Sequence, residues 1–346
     1  MRFAIAFAAL VVLAVAVVYP TVRPKPGDAG YCTSCHEMRD SSEAWLGSAH
    51  RGIPCSECHG GMLQAANARR FGEHARGQTP TTIRFHEGTD VEDIEQRCRK
   101  CHQKEYAAWH SGPHAVTYSE VLTDQEHNRK RMLTDDCLRC HGMQFQGSVR
   151  DLVTPIDTKG PWRMVNVRWA GRAAIPCITC HEMHRTGQPE GPRERRPVSA
   201  GALQPLRSPS LALFDRRTQM AIPVDLLPLP AMRRGDRLVK MSPDVRQALC
   251  YQCHASGSDM QVGEGDDRTP AGIHEGISCL ACHDHHGEQT RASCANCHPK
   301  MSNCGLDVER MDTTFRTRTS SHNIHYVQCI DCHTKGVPKK RVAPTI

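Results

Sequence analysis

The hydrophobic residues of this chain form one long run and a few short alternating ones. The long run, Phe3–Tyr19, follows Met1-Arg2 and ends at Pro20. Its seventeen residues would span about 25 Å as an α-helix, the short end of what crosses a bilayer. Ala14-Val15-Ala16 also matches a signal-peptidase site. The run predicts export from the cytoplasm, either as a cleaved signal or, as we favour, as a membrane anchor over residues 1–20.

Beyond this run, apolar and polar residues alternate in two regions. Val149–Ile156 and Arg163–Trp169 flank Thr-Lys-Gly-Pro, and Leu211–Phe214 and Met220–Val224 flank Asp-Arg-Arg-Thr. Each pattern predicts a β-hairpin. Between them, Gly187–Ser210 is rich in Pro and Arg, which is typical of a linker.

A five-residue motif, Cys-x-x-Cys-His, occurs nine times in the chain. Its two thiols can form thioethers to the vinyl groups of one haem, and the imidazole that follows then faces the iron. With 19 Cys and 21 His among 346 residues, a shuffled chain would contain about 0.06 such motifs. Zinc sites have no fixed His after Cys-x-x-Cys, and disulfides need no such His. The motifs therefore predict nine covalently bound haems c.

The predicted attachment cysteines are Cys32, Cys35, Cys55, Cys58, Cys98, Cys101, Cys137, Cys140, Cys177, Cys180, Cys250, Cys253, Cys279, Cys282, Cys294, Cys297, Cys329 and Cys332. The motif histidines, predicted to be proximal iron ligands, are His36, His59, His102, His141, His181, His254, His283, His298 and His333.

The composition fits a chain whose core is largely cofactor. Hydrophobic residues make up 39% and aromatic residues 5% of the sequence, and the mean hydropathy is −0.52. The motif count leaves about 38 residues per haem (346/9). We therefore expect a multihaem cytochrome c fold of mainly short α-helices and loops wrapped around a haem chain, with small β-hairpins and one N-terminal transmembrane or signal helix.

The formal charge of +7 is not a signal for nucleic-acid binding. Nine haems would add 18 propionates and, when oxidised, nine positive irons, so that the holoprotein carries about −2 oxidised (7 − 18 + 9) and −11 reduced. The basic pairs Arg216-Arg217 and Arg233-Arg234 are interpreted as solvated surface, with partner docking as the alternative.

The first two motifs have a specific context. Cys32–His36 is followed by Glu37-Met38, and Trp45, Ser48 and His50 then precede Cys55. Together with the apolar run, this resembles the NapC/NirT family of membrane-anchored quinol dehydrogenases, as does the last motif with His322 and His325 before it. The family has four or five haems. The resemblance implies quinol as electron donor, the first haem as the place where electrons enter, and Met38 as a ligand of the first iron. Packing is the alternative role for Met38.

Twelve histidines lie outside the motifs, enough to give each iron a second imidazole. Recurring spacings select among these twelve. A Trp stands five residues before two of them, two follow a motif histidine by three residues, and two precede the first cysteine of a motif by five. The predicted distal ligands are His50, His114, His184, His274, His286 and one of His322 or His325, followed by His74, His86 and His127. Cys304, outside the motifs, is either an unusual ligand or an unpaired thiol.

These observations predict a five-haem domain over 21–186, a haem-free linker segment over 187–244 and a four-haem domain over 245–346. Imidazole on both faces of an iron suits electron transfer. We therefore expect a nonahaem cytochrome on the periplasmic side of the inner membrane that carries electrons from quinol to a periplasmic or outer-membrane redox partner, and binds no nucleic acid. The alternative is an oxidoreductase acting on nitrite, hydroxylamine or sulfur oxyanions, although no motif has the Lys in place of His that marks some such catalytic haems.

Overall fold

The structure, a computed structural model, describes residues 29–34, 38–60, 65–78, 88–184, 210–255, 260–287, 294, 297–298 and 310–336. The predicted anchor, Phe3–Tyr19, lies outside these residues, as do Cys35, His36, His86 and Cys304. Within the described ranges, no helix combines the length and the apolar character that a membrane crossing requires.

Short helices separated by loops make up most of the described chain, as predicted. The α-helices are α1 Ala29–Cys32, α2 Arg39–Leu46, α3 Cys55–His59, α4 Ala65–Ala75, α5 Gly88–Cys101, α6 Gln103–His110, α7 Tyr118–Leu122, α8 Gln125–Lys130, α9 Val167–Ala170, α10 Gln247–His254, α11 Cys279–Cys282 and α12 Cys329–Cys332. Single 3₁₀ turns cover Pro113–Ala115, Asp135–Arg139, Val149–Asp151, Cys177–Thr179, Val224–Leu226 and Gly272–His274. Most of the described attachment motifs lie on such a helix or turn, which brings two cysteines three positions apart to one side of the backbone.

Two-stranded antiparallel sheets are the other regular elements. The strands β1 Val153–Thr154 and β2 Arg163–Met164 form the first predicted hairpin. It is shorter than expected, because a 3₁₀ turn precedes β1 and α9 takes up the end of the second alternating run.

The second predicted hairpin is confirmed by β3 Ala212–Asp215 and β4 Met220–Pro223. A third, β5 Arg233–Arg234 with β6 Arg237–Leu238, was not predicted. The arginines of β5 are exposed on it, in agreement with their interpretation as solvated surface.

A conventional apolar core lies beside the fourth motif. Tyr118, Leu122, Leu138 and Leu152 are all completely buried in one cluster. Arg216, in the turn between β3 and β4, donates to the carbonyl oxygens of Phe145 and Gly147 and attaches that hairpin to the loop after the motif. Part of the core is therefore polypeptide, and the β3–β4 hairpin packs against the loop that follows the fourth motif.

The chain divides into two compact units by its contacts. One consists of 1–103 with 182–189, and the other of 104–181 with 190–346. The division that we expected from the haem-poor segment stays a prediction.

Candidate haem iron sites

Six motif histidines in the described residues each face one histidine from outside the motifs. The distances between ring centres are 6.1 Å for His102 and His50, 5.6 Å for His59 and His184, 6.3 Å for His254 and His114, 6.0 Å for His181 and His286, 6.0 Å for His283 and His325, and 6.4 Å for His298 and His274. A metal with a nitrogen about 2 Å away on each side, and each ring centre about 1 Å further, separates the ring centres by about 6 Å. Each pair could therefore hold one haem iron between its two imidazoles.

Burial favours the neutral form of several histidines in these pairs. Desolvation, with the neighbouring His184, lowers the pKa of His59 to about 4. Desolvation, with His283 next, lowers the pKa of His325 to about 4. The pKa values of His114 and His254 are lowered mainly by the same desolvation. Because only neutral imidazole has a lone pair for a metal, these environments favour ligation.

Hydrogen bonds to Nδ1 orient two of the facing histidines. Nδ1 of His274 lies 2.7 Å from the carbonyl oxygen of Ile324, and Nδ1 of His325 lies 3.2 Å from Oδ1 of Asn323. Since both partners are acceptors, Nδ1 donates in each case, and Nε2 keeps its lone pair for the iron. Asn323 was not predicted, although an amide side chain two residues before a candidate ligand is a usable signal.

The Trp–Ser–His stretch before the second motif is a compact turn that positions His50. Buried Ser48 donates through Oγ to the carbonyl oxygen of Trp45 at 2.8 Å. Oγ of Ser48 in turn accepts from the backbone N–H of His50 at 3.1 Å. The spacing of these three residues therefore has a local cause, because the hydroxyl of Ser48 links Trp45 to His50.

The second and third motifs lie side by side. Arg97 on α5 donates to the carbonyl oxygen of Cys58, and Lys100 lies 3.8 Å from the carboxylate of Glu57 on α3. None of the described cysteines is in a disulfide. No disulfide therefore competes with thioether formation at the described cysteines.

Some predicted ligands do not lie opposite a second histidine in the described residues. No described imidazole faces His141 or His333 at the distances found in the six pairs. Desolvation lowers the pKa of His141, Asp266 opposes this effect, and His127 adds to it. His127 is therefore near His141, although their rings do not face each other. Met38 directly precedes α2.

Two more candidates have other surroundings. His322 uses Nδ1 on the carbonyl oxygen of Asp312, at 3.0 Å. Of the two alternatives near the last motif, His325 is thus the one that faces a motif histidine. His74 is exposed in the last turn of α4.

Buried polar atoms beside the motifs test whether these residues fit haem c. Gln144, three residues after His141, is 4% exposed, and neither of its amide atoms has a hydrogen-bond partner. Thr179, inside the fifth motif, is 3% exposed, and its hydroxyl has no partner either. Buried polar groups are nearly always hydrogen-bonded, and haem propionates are acceptors of the right kind. With the six facing histidine pairs, the residues present fit haem c.

Comparison with protein families agrees with this chemistry. The family model for cytochrome c554 and c-prime matches residues 97–182, which contain the third, fourth and fifth motifs. The family model for cytochrome c3 matches residues 234–299, which contain the sixth, seventh and eighth. No curated protein and no solved structure matches the chain. Both matching families attach haem c covalently, and domains of this kind suggest electron transfer. The chain is a multihaem cytochrome c.

Proposed function

We propose that this protein is a nonahaem electron-transfer cytochrome that accepts electrons from quinol and passes them to a periplasmic or outer-membrane redox partner. The facing histidine pairs carry this proposal. Haem c supplies reversible one-electron chemistry when bound. Two imidazoles facing each other across the iron position leave no coordination site for a substrate, so the pairs favour electron transfer over catalysis.

The site at which electrons enter is proposed to be the first motif. If Phe3–Tyr19 stays in the membrane, about a dozen residues separate it from Cys32, and twelve residues reach at most about 40 Å. A Pro-rich segment that folds back would keep the motif near the lipid headgroups. Quinol is lipid-soluble, so it would be oxidised there. The resemblance to NapC/NirT proteins gives Met38 the role of a weak ligand at this iron.

The test compares reduction by a menaquinol analogue with reduction by dithionite. Deletion of residues 1–19, or Met38→Ala, should abolish or sharply slow reduction by the quinol and leave dithionite reduction of the remaining haems intact. Met183→Ala is a matched control, because Met183 stands two residues after His181 with Glu between them, as Met38 does after His36. If the truncated protein accepts electrons from quinol as fast as the full chain, the protein is instead a periplasmic shuttle reduced by another protein.

A small-molecule oxidoreductase is the second candidate. It is favoured only by His141 and His333, which no imidazole faces in the described ranges. Carbon monoxide added to the reduced protein tests it. For electron transfer, we expect carbon monoxide to bind at most at the first haem, whose ligand Met38 is weak, whereas binding at a further haem, with turnover of nitrite or hydroxylamine, would support the enzyme.

A further inference from the structure

The sixth and seventh attachment motifs are joined by a buried polar network. Helix α10 ends with the sixth motif, and α11 is the first part of the seventh. Asp244, which is 6% exposed, lies just before α10. Its carboxylate accepts from Nε and Nη2 of Arg246 at 2.8 and 2.7 Å and from Oγ of Ser278 at 2.9 Å.

Ser278 connects this carboxylate to the seventh motif. It is 5% exposed and is the N-cap of α11, where its Oγ accepts from the N–H of Leu280 at 3.2 Å. Its hydroxyl proton goes to Asp244, so one side chain both caps α11 and ties it to the residue before α10. Gln247, the first residue of α10, is 1% exposed and lies against Cys279.

The network contains a salt bridge between Arg246 and Asp244. Arg246 holds Asp244 through two hydrogen bonds, and its side chain is only 25% exposed. Desolvation raises the pKa of Asp244, but the bonds from Arg246 and Ser278 outweigh it, and the net pKa is lowered. The carboxylate is thus ionised at neutral pH. Breaking one member of such a buried pair would leave the other charge uncompensated.

We propose that Asp244, with Arg246 and Ser278, is a positioning device that holds the sixth and seventh attachment motifs in one fixed arrangement. The chain would thereby hold the haems of these motifs as a pair with constant separation and constant electrostatics. Electron transfer between neighbouring centres falls steeply with distance, so a fixed separation would keep this step fast. The inference rests on haem attachment at these two motifs and not on quinol as the donor.

Variants of Ser278 separate capping from bridging. Ser278→Thr keeps the hydroxyl and both of its bonds. Ser278→Gly keeps a residue that is well tolerated at an N-cap but loses the bond to Asp244. Ser148→Gly is the matched control, because Ser148 is also an N-cap whose hydroxyl donates to an aspartate, Asp151, at 3.0 Å. That cap does not join two attachment motifs.

The readouts are the haem count by pyridine haemochrome, the midpoint potentials, and the magnetic coupling between oxidised haems in EPR spectra. His114→Met and His325→Met identify the two components of the redox titration that belong to the haems of the sixth and seventh motifs, because a thioether ligand raises the potential of its own haem. With the haem count unchanged, we expect Ser278→Gly to shift these two components and weaken their coupling. Ser278→Thr and Ser148→Gly should match the wild type.

Asp244→Asn provides a second test that does not depend on the cap. It keeps the shape of the side chain but leaves the charge of Arg246 uncompensated, so the same two components should move to higher potential. Wild-type potentials and coupling in both Ser278→Gly and Asp244→Asn would overturn the proposal, as would a uniform shift of all components. A haem count that lacks these two haems in the wild type would instead refute the haem assignment itself.

Discussion

At the scale of single residues, we expect the facing histidine of each described pair to set the spin state of the iron that the pair would hold. His184 faces His59 at 5.6 Å. We expect His184→Ala to convert about one haem per chain from low-spin to high-spin, because one strong axial ligand is lost. EPR and visible spectra of the oxidised protein measure this change.

His110→Ala is the control for this prediction. The ring of His110 lies 5.7 Å from that of Tyr106 and faces no motif histidine in the described residues. Its replacement should leave the spectra unchanged. Equal high-spin signals in both variants would show that His184 is not an axial ligand.

A second residue-scale prediction concerns Glu275, next to His274. Two hydrogen bonds of 2.7 Å from Arg237 lower the pKa of Glu275 to about 2 from an ordinary value of 4.5. A carboxyl whose pKa is lower in the folded state stabilises the fold above its unfolded pKa and loses that contribution as pH falls. The melting temperatures of wild type and Glu275→Gln should therefore differ at pH 6 and converge as the pH approaches 2.

Glu126→Gln is the comparison for this titration. Lys130 lies 2.7 Å from Glu126, but both side chains are largely exposed. Exposed pairs contribute little to stability, so the melting temperature should not change at either pH. If Glu126→Gln lowered the melting temperature at pH 6 as much as Glu275→Gln does, the partly buried position of Glu275 would have no special effect.

At the scale of elements, two chain segments that carry candidate ligands pack through their backbones. The N–H of Ala271 donates to the carbonyl oxygen of His325 at 2.7 Å, and that of Ile273 donates to Val327 at 3.1 Å. Gly272 lies between them with φ +72°, and a Cβ there would collide with the carbonyl oxygen of Val327 and the side chain of Gln328. Only glycine permits this approach.

Gly272→Ala should therefore destabilise the protein by about 1–3 kcal/mol. It should also produce a high-spin signal, because His274 and His325 are carried by these segments. Gly235→Ala is the matched control, since Gly235 also has a positive φ, +60°, but has nothing within 4 Å of the added Cβ. Thermal unfolding and EPR compare the two variants. Equal losses would attribute the effect to backbone strain alone.

At the scale of the whole molecule, the nine predicted haems would reverse the charge of the polypeptide. The sequence has an isoelectric point of about 8.6, whereas nine haems would bring the oxidised holoprotein to about −2 at pH 7. Isoelectric focusing should place the oxidised holoprotein below pH 7 and the protein freed of haem by thioether cleavage near its sequence value. A pyridine haemochrome assay with intact mass should give nine haems per chain. Seven or fewer, or focusing of the holoprotein above pH 8, would contradict the prediction.

The fold was predictable where local sequence decides it. Short helices follow from attachment motifs that need two cysteines on one side of a turn, and the hairpin β3–β4 follows from alternation around Asp-Arg-Arg-Thr. The hairpin β5–β6 was missed, because two-residue strands leave no alternation to detect. The apolar cluster around Tyr118 was missed for a different reason, since its members come from several short elements that no single period connects.

The sequence by itself determined the cofactor chemistry, because both thioether cysteines and the motif histidine lie within five consecutive residues. Through spacings that repeat along the chain, it also narrowed the candidates for the second iron ligand to a short set of histidines. Only the tertiary structure decided which imidazole faces which, for example that His325 rather than His322 lies opposite His283. It alone showed that Asp244 joins two motifs. These contacts link residues dozens of positions apart, so the folding of the chain, and not any local pattern, sets them.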